Sequence, residues 1–128
     1  MGGVVRTKRV YDDPAPQDGY RVLVDRLWPR GVSHERAAVG TWLKEVAPSA
    51  QLRTWWDHDP ARLEAFTARY RAELDANPAV DELRALLRRQ PVVTLVYSAR
   101  DPHLNQAEVL QGYLADGRDH RGDARSSG

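Results

Sequence analysis

The segment Asp25-Arg26-Leu27-Trp28-Pro29-Arg30-Gly31 sets two arginines on either side of a Trp-Pro pair and closes with glycine. Proline stiffens such a turn and glycine lets it close. The guanidiniums offer planar, forked donors that match a carboxylate or phosphate at two points, beside an indole face for stacking. A second segment, Tyr97-Ser98-Ala99-Arg100-Asp101-Pro102-His103-Leu104-Asn105-Gln106, links an apolar run to a helical pattern. A strand, a polar loop and a capped helix bring free backbone N–H groups and the positive end of a helix dipole together, which suits an anion. The candidate ligand-binding residues are therefore Arg26, Trp28, Arg30, Tyr97, Ser98, Arg100 and Asn105. Asp25 and Asp101 are the candidate acids or bases, with Arg26, Arg30 or Arg100 steadying developing negative charge.

Plainer roles exist for the same residues. Trp28 can plug the core, Arg26 can pair with an acid, and Asp101 can be a helix cap whose carboxylate fills the amides an anion needs. A third segment, Trp55-Trp56-Asp57-His58-Asp59, invites a metal or acid–base reading. Adjacent residues on an irregular loop point apart, and packing accounts for the tryptophans more simply. There is no cysteine, and the four histidines have no i, i+4 pair, so no metal site is expected. Gly-x-Gly-x-x-Gly, Walker and Gly-x-Ser-x-Gly patterns are absent, and no cofactor is expected.

The elements that must hold these turns are well punctuated. Tyr20–Leu27 and Pro91–Tyr97 are short, apolar and β-branched at their centres, the pattern of strands covered on both faces in a parallel sheet. Arg6–Tyr11 is a weaker strand. Three Asx-Pro pairs, Asp59-Pro60, Asn77-Pro78 and Asp101-Pro102, precede amphipathic stretches as N-cap and first helical residue would. Leu63, Phe66, Tyr70 and Leu74 form the apolar face of the first stretch; Val80, Leu83 and Leu87 that of the second; Leu104, Ala107, Leu110 and Leu114 that of the third. A shorter helix starts at Ser49. Val39–Ala47 fits either a helix or an imperfect strand, and a short strand is preferred.

The sum is an α/β fold: a small layered domain with a short, mostly parallel sheet and helices packed on it. One domain is expected over residues 1–117. Residues 118–128 are polar and aperiodic, which predicts a disordered tail. In open α/β sheets ligands gather beyond the carboxyl ends of strands, so parallel strands would bring both arginine-bearing turns to one edge.

Composition narrows the partners. The net charge of +1 does not indicate a surface built to grip nucleic acid, although a nucleic-acid end stays open as a ligand. All but Lys8 and Lys44 of the 19 basic residues are arginine, a coding bias that weakens any single arginine as a signal. No apolar run approaches the roughly 20 residues of a membrane span, and no secretory signal opens the chain, so no membrane role and a cytoplasmic location are expected. Oligomeric state is left open.

The same turns carry a family resemblance. Gly19 to Gly31, with its Leu27-Trp28-Pro29-Arg30-Gly31 core, resembles the signature of domain-of-unknown-function family 488 in its YeaO-like bacterial branch. Lys8-Arg9-Val10-Tyr11, Trp42-Leu43-Lys44-Glu45, Ala47-Pro48-Ser49, Leu52-Arg53, Leu95–Asp101 and Asn105-Gln106-Ala107 extend it over about residues 6–115. The resemblance implies no established activity. Longer relatives resemble the chain at both turns but carry Cys and His near the final strand and helix, where this chain has Tyr97-Ser98 and Asn105-Gln106. Three readings follow. The first is a binding module for a phosphate-bearing anion (a nucleotide, a phosphorylated metabolite or a nucleic-acid end) in an Arg/Trp-lined cleft. The second is a hydrolase- or transferase-like enzyme using Asp25 or Asp101, and the third a protein-interaction domain anchored on Arg and Trp.

Overall fold

The computed structural model describes residues 3–127, with side chains through Asp116; the expected disorder of the 118–128 tail falls outside the described side chains. Four strands form one parallel sheet: β1 (Val4–Arg9), β2 (Tyr20–Leu23), β3 (Thr41–Trp42) and β4 (Val92–Tyr97), in the order β1-β4-β2-β3. β4 lies between β1 and β2, with Thr7 and Val22 both in register with Leu95. The run Val92–Tyr97 thus supplies the central strand its composition predicts. β1 begins two residues before the predicted segment.

Alternation along β4 divides the core. Val93, Leu95 and Tyr97 face a helical layer of α2 (Ala50–Trp56), α3 (Leu63–Asp75), α4 (Ala79–Arg89) and α5 (Gln106–Ser127). From that layer Phe66, Tyr70 and Leu74, Val80 and Leu83, and Ala107, Leu110 and Leu114 are buried. Leu63, Leu87 and Leu104 of the predicted faces are only partly buried, and Leu86 takes the deeper place on α4. On the other side Val96 joins Leu23, Val10, Val32 and Ala37 beneath the one-turn helix α1 (His34–Ala37). Both faces of the sheet are therefore covered, which is why the central strand β4 is apolar at every position but Thr94.

Three boundaries differ from expectation for physical reasons. β2 stops at Leu23, and the chain turns away after Val24 donates to the Val96 carbonyl. Val39–Ala47 is neither one helix nor one strand: two residues pair as β3, and Lys44–Val46 then closes a single 3₁₀ turn. Asp101 does not cap α5. Its carboxylate accepts from the amides of His103 and Leu104 in a turn of its own, and Asn105 Oδ1 accepts from the Glu108 amide at the true helix start.

A buried ionic network ties the second face together. Arg21 Nη1 lies 2.6 Å from Asp18 Oδ2, while Arg21 Nε and Nη2 donate to the Ala37 carbonyl at 3.1 and 2.8 Å. Lys8 adds a second cation at 3.2 Å, and the Ala15 amide donates to Asp18 as well. Gly19, at φ +64°, makes the turn into β2 so close to Val92 that a Cβ there would clash.

Candidate functional site

The chain leaves β2 and β4 side by side, and a cleft of about 410 Å³ opens just past their carboxyl ends. Asp25, Arg26, Trp28, Arg30 and Ser98 all line it, so members of both predicted turns share one edge of the sheet. Tyr97, Arg100, Asn105 and Asp101 do not line it. Tyr97 is buried in the helical-side core, and burial, with the Glu108 charge, pushes its hydroxyl above 10.0. Asn105 is fully buried as the cap of α5, its Nδ2 donating to the Asp101 carbonyl at 2.8 Å. Arg100 is exposed beyond the cleft. Asp101 is exposed, and its bonds from the His103 and Leu104 amides hold its carboxyl below 3.8.

Within the turn after β2 the arginines divide their work. Arg26 is half-buried and holds the opposite wall, reaching the Ala47 carbonyl at 3.1 Å and the Pro48 carbonyl at 3.3 Å. Trp28 donates its Nε1 to the Val32 carbonyl at 2.6 Å, stacks on His34 at 4.2 Å and meets the edge of Trp42. The indole is thus anchored by packing while still forming cleft wall. Arg30 is exposed, and its guanidinium makes no hydrogen bond or ion pair among the described residues. Tyr11 fixes its backbone instead, donating to the Arg30 carbonyl at 3.0 Å.

Asp25 forms the floor. It is 8% exposed and receives three bonds: from the Ser98 amide at 3.0 Å, from Ser98 Oγ at 2.5 Å and from Gln106 Nε2 at 2.5 Å. Burial pushes the carboxyl above 3.8; the Ser98 and Gln106 bonds and the Arg53 charge offset this only in part. A folded-state value above the unfolded one means a contribution to stability that is full below 3.8 and lost as pH rises through the elevated value. Asp25→Asn keeps an acceptor for Ser98, and Gln106 can turn its amide to present oxygen. The variant is therefore expected to melt at or above the parent at pH 7, with the gap closing toward pH 4. A variant several degrees less stable at neutral pH would contradict this account of the carboxylate.

The far wall comes from α2 and its end, which the arginine-rich turns do not reveal. Arg53 lines the cleft from α2, and its guanidinium makes no hydrogen bond or ion pair among the described residues. Asp57 and His58 follow with φ of 49° and 53°, two successive left-handed residues that lack glycine's freedom and each cost on the order of 1 kcal/mol. His58 Nδ1 lies 3.3 Å from the Leu104 carbonyl and so connects this wall to the loop after β4. Asp59 points away and caps the next turn through the Ala61 amide. Asp57, His58 and Asp59 do not converge, and among the described residues no cluster of three metal-ligating side chains occurs. Three guanidiniums against two carboxylates, Asp25 and Asp57, leave the cleft net positive.

The chain belongs to the DUF488 family: residues 4–128 match the group described as the inactive DUF488-N3 subclade. It is 47% identical over 114 residues to an uncharacterized protein of Mycobacterium tuberculosis, covering 89% of this chain and 95% of the relative. It is 38% identical over 110 residues to the uncharacterized protein YeaO of Escherichia coli, covering 86% of this chain and 96% of YeaO. No solved structure matches it. Among the described residues no helix is long and apolar enough to cross a membrane.

Proposed function

We propose that the chain is a binding module that takes a small phosphate-bearing anion into the cleft beyond β2 and β4. The observation that carries this reading is the pair Arg30 and Arg53, which line one cleft from two different elements with guanidiniums in no hydrogen bond or ion pair among the described residues. Arginine left without a partner in a concave site is suited to forked contact with phosphate. The cleft volume lies within the range of small-molecule sites. The family description as an inactive subclade supports binding over turnover. One observation favours an enzyme instead: Ser98 Oγ donates to a buried carboxylate, as an activated hydroxyl would.

Inorganic phosphate is the direct probe. It is expected to raise the melting temperature of the full chain in a saturable way, as any ligand selective for the folded state does. Arg53→Ala and Arg30→Ala, both at exposed positions, should keep the parent fold and each weaken phosphate about tenfold, the size of one charge-assisted contact. Added salt should mimic the loss. Unchanged phosphate affinity in both variants would overturn the reading.

A further inference from the structure

The cleft's exposed and buried polar groups differ in kind. Its mouth carries the guanidiniums of Arg30 and Arg53, neither in a hydrogen bond or ion pair among the described residues, which outnumber the one exposed carboxylate, Asp57. Its floor holds acceptors. A carboxylate has room for about four hydrogen bonds, and Asp25 receives three, two on Oδ2 and one on Oδ1. Ser98 commits its hydroxyl proton to Asp25, which leaves the Ser98 oxygen able only to accept from the cleft. Gln106 likewise commits an Nε2 proton to Asp25, and its Oε1 takes no bond from the described residues. A phosphate oxygen is poorly served on such a floor, because it brings charge to a carboxylate and meets only the second Gln106 Nε2 proton as a donor. A ligand hydroxyl does have a place, since it supplies the donor that Asp25 Oδ1 and Ser98 Oγ lack.

We infer that the ligand is a hydroxyl-bearing phosphomonoester of the sugar-phosphate class, its phosphate on Arg30 and Arg53 at the mouth and a hydroxyl donating to the Asp25–Ser98 floor. This rests on the anion-binding reading and narrows it. The two ends do different jobs: the arginines supply affinity for any phosphate, and the floor selects among phosphate esters. A carboxylate held by three donors and still short of one is preorganised for that selection, since binding neither moves it nor strips it of a partner.

Calorimetric titration of the full chain with ethyl phosphate and with ribose 5-phosphate separates the two ends. Both are phosphomonoesters, and only the second carries hydroxyls. The parent is expected to bind ribose 5-phosphate about tenfold more tightly, the size of one charge-assisted hydrogen bond. Asp25→Asn should bring the two ligands within about threefold of each other while holding or improving ethyl phosphate affinity, because a buried negative charge is removed. Arg53→Ala should weaken both ligands equally. The comparison within the parent needs no variant to fold. Equal binding of the two esters by the parent, or a preference that survives Asp25→Asn, overturns the floor assignment and leaves the anion site standing. Failure of the parent to bind either ester overturns both.

Discussion

Arg21→Ala is expected to cost about 3–5 kcal/mol of stability, because it opens a buried ionic network by removing the member that holds it together. Arg21 is 4% exposed and joins Asp18 to the Ala37 carbonyl. Without it the Ala37 carbonyl loses both side-chain donors, and Asp18 keeps only Lys8 and the Ala15 amide. The pH dependence follows from Asp18. Burial pushes its carboxyl up, but the Ala15 amide, Lys8 and Arg21 together outweigh that and hold it below 3.8. A lowered folded-state value means a contribution that is present above 3.8 and lost as pH falls through the lower one. Urea denaturation of parent and variant should therefore differ most at neutral pH and less in acid. Arg21→Lys should restore only part of the loss, since an ammonium cannot span the carboxylate and the carbonyl as a planar fork does. A variant as stable as the parent would show that the network is decoration.

Leu95→Ala is the second large effect, at about 2–5 kcal/mol. Leu95 is fully buried at the centre of β4, in register with β1 on one side and β2 on the other, and faces the helical layer. The cavity would lie in the middle of the sheet, where neighbours on two strands limit collapse. Thermal melts should show a loss of many degrees with the circular dichroism of the folded state retained. A parent-like melting temperature would mean that β4 is not the strand around which the core closes.

Why these elements were legible and the whole cleft was not is a matter of range. Val92–Tyr97 reads as a central strand because a strand buried on both faces is apolar almost throughout, Thr94 being accommodated by donating to the Asp18 carbonyl. Phe66, Tyr70 and Leu74 read as one helix face because burial imposes the 3.6-residue period locally. The turns at Arg26–Arg30 and Ser98 stand out because polar and aromatic side chains interrupt those patterns where the strands end. Arg53 breaks no local pattern: only the family resemblance at Leu52-Arg53 touches it, and on a helix face in a chain rich in arginine it looks like solvent-facing charge. His58 and Gln106 become cleft residues only through contacts with Leu104 and Asp25, each more than 40 positions away along the chain. Asp101-Pro102 looks like the other two Asx-Pro starts, and only the continuation of the chain reveals that Asn105 is the cap. Local chemistry identifies a cap or a strand; it does not identify which distant side chain will share a cleft.

The place where an anion binds is the most direct test of the cleft's function. Amide-resolved NMR titration of the full chain with inorganic phosphate would locate it without any substitution. Shifts are predicted to concentrate on Arg30, Arg53, Thr54 and Asp57, exposed residues lining the cleft beyond β2 and β4, and to saturate together with one affinity. Shifts spread over surface arginines far from the cleft, such as Arg88 and Arg89 at the end of α4, or no saturable shifts at all, would contradict it.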